Sequence, residues 1–247
     1  MVKRDSLVTY LNDYLDVGRF QDSCLNGLQV EGGVKIRTIV TGVTANTQLF
    51  QAAVRHKAQA VLVHHGLFWG KEFFYLKSFL RMRVAFLLKH DLNLLVYHLP
   101  LDAHPKLGNA VALIRFLHMK ILYAYDVGFV AEFQGGLLIE KISSLISEKC
   151  GIKVKHVFAR KDATYKRFVV LTGGTFSYMK AVFEMNVDGF ITGEVSERVP
   201  AYVQETGKAF IALGHYDSER FGVQALGKHV AKKFDLQHQF IHIPNEF

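Results

Sequence analysis

Cysteine is almost missing from this chain of 247 residues: Cys24 and Cys150 are the two, far apart and in no CxxC spacing. Their scarcity excludes a disulfide framework and a zinc ribbon, and makes reduced thiols the expectation. Proline is thin as well, at four residues, while half of the chain is apolar. That balance excludes a disordered or fibrous protein and predicts an ordered, cytoplasmic globular one with one large core or two modest ones. No apolar run reaches the about 20 residues that span a bilayer. The best stretch, 84–101, is broken by Lys89, His90, Asp91 and Asn93, so no membrane partner is expected. The first residues, Met1-Val2-Lys3-Arg4-Asp5, turn acidic with no apolar core behind them and do not read as a signal peptide.

Acidic side chains are outnumbered: 30 Lys and Arg stand against 22 Asp and Glu, a formal charge of +8 with a pI near 9.4. A nucleic acid, phosphate or membrane-surface partner is one reading of that balance; charge spread over a solvated surface is the other. The densest stretch, 153–167, holds Lys153, Lys155, Arg160, Lys161, Lys166 and Arg167, but also Asp162 and strand-like residues. This favours a solvated face and leaves nucleic acid weakly supported. A phosphate cradle is missing too: Thr172-Gly173-Gly174-Thr175 has neither the spacing nor the Lys of a P-loop.

What is present is a rhythm. A helix opens the chain, with Leu7, Tyr10, Leu11, Tyr14 and Leu15 at helical spacing behind a cap at Asp5 or Ser6. Then come strand 38–43, helix 47–56, strand 60–63, helix 77–89 and strand 92–97. The second half follows with strand 168–172, helix 177–185, strand 189–192, helix 196–206, strand 209–213, helix 219–234 and strand 240–243. Apolar strands alternating with helices predict a parallel sheet in an α/β fold. Val40-Thr41-Gly42-Val43-Thr44 and Leu171-Thr172-Gly173-Gly174-Thr175 open similar βαβ units about 130 residues apart, which reads as an internal duplication; coincidence between two ordinary βαβ units is the alternative. The expectation is two similar three-layer α/β domains, 1–125 and 126–247, intertwined because no Pro/Gly/Ser linker separates them.

In open α/β sheets, ligands gather at the carboxyl ends of strands, and three strand ends carry chemistry. Strand 60–63 runs into His64-His65-Gly66; adjacent imidazoles diverge and suit two neighbouring ions better than one. Strand 92–97 runs into His98-Leu99-Pro100-Leu101-Asp102-Ala103-His104-Pro105, where two prolines stiffen a loop that carries Asp102 between His98 and His104. Strand 209–213 runs into Gly214-His215-Tyr216-Asp217-Ser218-Glu219, and His215 and Glu219, four apart, share a helix face. Each has a bland alternative: a satisfied core His, Asp102 as a turn residue, Glu219 as a partner of the helix dipole. Together His64, His65, Asp102, His215 and Glu219 form a mixed N/O set of the kind that binds Zn²⁺, Fe²⁺, Mn²⁺, Co²⁺ or Ni²⁺. Five ligands exceed the usual three of a mononuclear catalytic site and fit two divalent ions about 3.5–4 Å apart. His98 and His104 are candidates for proton transfer or for support of the ligands, or else they simply fix the loop. Glu194, at another strand end, is placed to line the pocket. Trp69, with Phe68, Phe73, Phe74 and Tyr75, either stacks a base, covers the site or forms a subunit contact.

Five stretches carry a resemblance: Asn26-Gly27-Leu28-Gln29-Val30, Val63-His64-His65-Gly66, Tyr97-His98-Leu99-Pro100-Leu101-Asp102-Ala103-His104, Ile191-Thr192-Gly193-Glu194-Val195-Ser196-Glu197 and Gly214-His215-Tyr216-Asp217-Ser218-Glu219-Arg220. In this order, and over nearly the whole chain, they resemble the GTP cyclohydrolase I type 2 homologue family, also called the Nif-three-like family, and its short bacterial members in particular. The resemblance implies two interlocking α/β domains and a two-metal site with His64, His65, Asp102, His215 and Glu219 as ligands. It also implies a ring-shaped homohexamer built as a trimer of dimers. The family name implies opening of the guanine imidazole ring with release of formate. The expectation is a metal-dependent hydrolase of a nucleotide-like small molecule, with His65 and Asp102 on one ion, His64 and His215 on the other and Glu219 bridging. A ring-shaped nucleic-acid-binding protein and a metal-handling protein without turnover are the alternatives.

Overall fold

The computed structural model describes residues 1–70 and 75–245, so Phe73 and Phe74 lie outside the described residues. The chain forms two compact units, Met1–Leu101 with Gly222–Ile243, and Asp102–Phe221 with the chain end from Pro244. Each is a mixed α/β unit.

The first unit is built on a five-stranded sheet in the order Gln237–Phe240, Thr38–Thr44, Ala60–His65, Asn93–Val96, Gly27–Val30. The first four strands are parallel, and Gly27–Val30 closes one edge antiparallel to Asn93–Val96. Val40, Val61, Val63, Leu94 and Val96 pack on one face against Leu49, Phe50, Ala53, Leu80, Val84 and Leu87 from helices Thr47–Arg55 and Ser78–Lys89. Ile39, Thr41, Leu62 and Leu95 point the other way and are also buried. There, Gly227 of helix His215–Phe234 comes so close to Thr41 that a Cβ would stand 2.7 Å from its Cγ2. Burial on both faces explains why these strands read as continuous apolar runs.

Three details of this unit depart from the expected elements, the first being its last strand, which runs Gln237–Phe240 and not 240–243. Helix Arg4–Tyr14 starts before the Asp5 or Ser6 expected to cap it. Its first N–H, on Arg4, finds the Val34 carbonyl at 2.8 Å, so no side-chain cap is required. Strand Ala60–His65 runs two residues further than expected and takes both histidines into the ladder, with His65 opposite Thr44.

Asn93 secures the lower end of this sheet. It is fully buried; its Oδ1 accepts from the Gly32 N–H at 2.9 Å, and its Nδ2 donates to the Gly33 and Gln59 carbonyls, each at 2.9 Å. Asn93→Ala strands the Gly32 N–H and the Gly33 carbonyl, leaves the Gln59 carbonyl with the residue-93 N–H alone, and is expected to destabilise the protein by about 2–3 kcal/mol. The check is urea denaturation: the midpoint falls while the slope stays constant, and an unchanged midpoint would refute this role.

The second unit has a six-stranded sheet in the order Lys120–Tyr125, Gly128–Leu138, Thr164–Val170, Gly189–Thr192, Ala209–Ala212, His156–Phe158. The three strands after Gly128–Leu138 in that order are mutually parallel, and the outer ones antiparallel. Phe168, Val170, Ile191 and Ile211 face helices Asn109–Phe116 and Ile139–Cys150. Val169, Leu171, Phe190 and Phe210 face helices Met179–Glu184 and Val199–Thr206. This unit is therefore three-layered. Both units repeat the β–α–β parallel core, which is consistent with a duplication.

The domain boundary expected at residue 125 needs correction. Residues 120–138 form one hairpin, Tyr125 pairing with Gly128 across a turn at Asp126, and a hairpin cannot be cut without losing its ladder. The units divide instead at Leu101/Asp102 and Phe221/Gly222. The hairpin, helix Asn109–Phe116 and helix Ile139–Cys150 were not anticipated. The basic stretch 153–167 contains strand His156–Phe158, and its charges have acidic neighbours: Arg160 lies 3.4 Å from Asp162, and Lys166 and Arg167 lie 3.8 and 3.4 Å from Glu132. Among the described residues no helix is long and apolar enough to cross a membrane.

Candidate metal centre

Strand Ala60–His65 lies between two parallel neighbours; His65 pairs with Thr44 on one side, while the ladder on the other ends at Val63. His64 is fully buried, with Nδ1 3.0 Å from the Tyr97 carbonyl oxygen. A carbonyl only accepts. Nδ1 therefore carries the proton and Nε2 the lone pair, which is the tautomer a ligating histidine needs. Tyr97 is itself anchored by its hydroxyl, which donates to Asn12 Oδ1 at 2.9 Å, and burial raises its pKa. His65 Nδ1 lies 3.2 Å from Thr44 Oγ1.

His98 joins these two. Its ring centroid is 4.9 Å from that of His64 and 5.7 Å from that of His65, and the three residues offer ring nitrogens within 4.8 Å of one another. Trp69 stands edge-on to His98 at 5.0 Å, held by its Nε1–H donating to the Gly66 carbonyl at 3.1 Å. Phe68 packs against the core of the unit, whereas Tyr75 is exposed.

The Asn26-Gly27-Leu28-Gln29-Val30 stretch, without evident chemistry as a sequence, positions these imidazoles. Asn26 Oδ1 accepts the His98 N–H at 2.7 Å, and Gln29 Oε1 accepts the N–H groups of Leu67 and Phe68 at 2.7 and 3.1 Å. One residue was missed altogether. The Asp22 side chain is buried and accepts from His98 Nδ1 at 2.9 Å, from the N–H groups of Cys24 and Leu99 at 2.9 and 3.0 Å, and from Asn26 Nδ2 at 2.9 Å. Burial pushes its carboxyl up, but His98, Asn26 and the Cys24 N–H outweigh burial and pull it down to about 2. His104 uses Nδ1 to accept the N–H groups of Lys106 and Leu107 at 3.2 and 3.1 Å, so that nitrogen fixes the proline-rich turn.

In the second unit, Asp102, His215 and Glu219 come together. Helix His215–Phe234 begins at His215, four residues earlier than expected, so His215 and Glu219 lie on consecutive turns with Nε2 and Oε2 3.0 Å apart. Asp102 is buried; its Oδ1 accepts from Asn109 Nδ2 at 2.8 Å and from Thr172 Oγ1 at 3.4 Å. A carboxylate oxygen of Asp102 lies within 4.8 Å of one of Glu219. Two buried acids this close repel each other, and such an arrangement is stable when cations sit against it. The other face of His215 meets Glu194, whose Oε1 is 2.6 Å from Nδ1. Both of its partners only accept, so His215 is an imidazolium here. Burial favours the neutral ring, but Glu219 and Glu194 prevail and raise its pKa to about 9.

The Thr172-Gly173-Gly174 turn makes room for these acids. Gly173 has φ +66°, and a Cβ there would fall on the Glu219 carboxylate. Its N–H donates to Ser218 Oγ at 3.0 Å, and that hydroxyl donates to the His215 carbonyl at 2.9 Å. The first unit thus offers imidazole nitrogens and the second an imidazole with two carboxylates, donor types that suit a divalent transition metal.

A family profile described as Duf34/NIF3 (NGG1p interacting factor 3) matches residues 2–246. The chain belongs to that family. A Duf34/NIF3 relative from Yersinia pestis, called GTP cyclohydrolase 1 type 2 homolog, is 43% identical over 240 residues and 97% of each chain. One of the same name from Pseudomonas aeruginosa is 40% identical over 246 residues, again 97% of each. Among solved structures, "protein ybgI, unknown function" superposes with a TM-score of 0.93 at 37% identity over 99% of both chains. TTHA1606 from Thermus thermophilus gives 0.91 at 33% identity over the full length of both. The Duf34/NIF3 assignment agrees with the resemblance seen in the five sequence stretches.

Proposed function

We propose that His64, His65, Asp102, His215 and Glu219 hold two divalent ions, and that the protein is a metal-dependent hydrolase of a nucleotide-like small molecule. The observation that carries this is the His64–Tyr97 hydrogen bond, which sets a fully buried imidazole in the ligating tautomer. The buried carboxylates of Asp102 and Glu219 add to it. Ring nitrogens of His64, His65 and His215 and carboxylate oxygens of Asp102 and Glu219 would be the ligands. When bound, such a pair supplies Lewis acidity that makes water a nucleophile near neutral pH and polarises the bond under attack. Glu194 keeps His215 Nδ1 protonated and so turns Nε2 toward the centre, while Asn109 and Thr172 steady Asp102. Trp69 offers a flat apolar wall for a base. The name of the curated relatives makes GTP the first substrate to try.

The test is metal content per chain in gently purified protein beside Glu219→Ala. About two equivalents falling to one or fewer in the variant is the expected result. Turnover of GTP, read as formate release and lost in His65→Ala, supports the hydrolase reading. No bound metal and no uptake of Zn²⁺, Mn²⁺ or Fe²⁺ would overturn it.

A further inference from the structure

We propose that His98 is an additional metal-binding imidazole and that Asp22 is the residue that aims it. This rests on the two-metal reading and extends it to two residues outside the expected ligand set.

The geometry is that of a supported ligand. Both Asp22 oxygens lie near His98 Nδ1, at 2.9 and 3.1 Å. A carboxylate accepts, so Nδ1 bears the proton and Nε2 keeps the lone pair, the arrangement by which carboxylates orient ligating histidines. His64 is set in the same tautomer by the Tyr97 carbonyl. With Nδ1 of His98 engaged by Asp22, Nε2 is the nitrogen it has to offer, and the ligand atoms of His64, His65 and His98 fall within 4.8 Å of one another. The backbone of His98 is fixed as firmly as its ring: its N–H donates to Asn26, and the next N–H, on Leu99, donates to Asp22. Trp69 closes one side of the ring. A histidine that merely stabilised the loop would not need its ring locked by a buried carboxylate beside two other imidazoles. Asp22 touches no ion in this scheme; it is a positioning residue.

The experiment is titration of the chelator-treated, full-length protein with Co²⁺, followed by calorimetry and visible absorption, for wild type, His98→Gln and Asp22→Asn. His98→Gln keeps the backbone bond to Asn26. It is expected to weaken one of the two equivalents about ten- to a hundredfold and to change the ligand-field spectrum. Asp22→Asn is expected to weaken the same equivalent less. Its His98 ring should also lose its single tautomer in ¹⁵N-edited spectra of the metal-free protein, a readout of the aim that needs no ion, whereas the change in Co²⁺ affinity and spectrum is what a purely structural role would leave unmoved. Thermal melts of the metal-free variants report whether they fold; if Asp22→Asn does not, His98→Gln decides alone. Wild-type affinity and spectrum in His98→Gln would overturn the inference while the two-metal reading stands. Wild-type protein that takes up no Co²⁺ would overturn both.

Discussion

Replacing Gly173 by alanine is expected to strip the protein of metal although Gly173 bears no donor atom. Its backbone has φ +66°, where a Cβ costs about 1–2 kcal/mol. The new methyl would fall on the Glu219 carboxylate and stand 3.1 Å from His215 Nε2. The turn cannot retreat, because the Gly173 N–H is held by Ser218 and its carbonyl packs against Gly193, where a Cβ would meet it at 2.6 Å. Glu219 must therefore swing away and take with it the contact to His215. Bound metal should fall from about two equivalents per chain to one or none, and the melting temperature should drop by roughly 2–8 °C. Gly174→Ala is the control. A Cβ there would meet Glu194 and His215 at an ordinary 3.5 Å, and metal content should not change. Normal metal content in Gly173→Ala would show that Glu219 is not a ligand in the position described.

The second large effect is on pH. In the metal-free protein His215 binds a proton with a pKa raised to about 9, and an ion must displace that proton from Nε2. Below pH 9 each unit of acidity therefore costs the ion about tenfold in affinity, so binding should tighten about a hundredfold between pH 7 and pH 9. About one proton per chain should be released at neutral pH as the ion bound by His215 loads, measurable as a buffer-dependent heat. The same shift governs stability without metal. The folded pKa lies above the ordinary imidazole value of 6.5, so the His215 contribution is complete below about pH 6.5 and disappears as pH rises through about 9. Glu194→Gln removes one of the two carboxylates and should flatten both profiles. Affinity independent of pH over this range would mean that His215 does not ligate.

Much of the first unit was legible because its information is local. Runs such as Thr38-Ile39-Val40-Thr41-Gly42-Val43 are apolar on both faces and reveal a buried parallel strand, and the four-residue spacing of His215 and Glu219 places them on one helix face wherever that helix lies. The hairpin 120–138 escaped because its first strand is largely exposed and lacks the alternation of a half-buried strand. The boundary at residue 101 escaped because nothing in Leu99-Pro100-Leu101-Asp102 resembles a linker: a short helix occupies it.

By itself, the sequence determined the α/β class, the family, and the five residues at strand ends that make up the expected ligand set. Only the tertiary structure decided how those side chains are held: Asp22 reaching His98 from 76 positions away, the Tyr97 carbonyl choosing the tautomer of His64 from 33, and Gly173 leaving space for Glu219. The physical reason is that strand and helix periodicity are written in neighbouring residues, whereas these contacts close long loops whose ends no local preference brings together. They form when the sheets pack and bury polar groups that must then find partners.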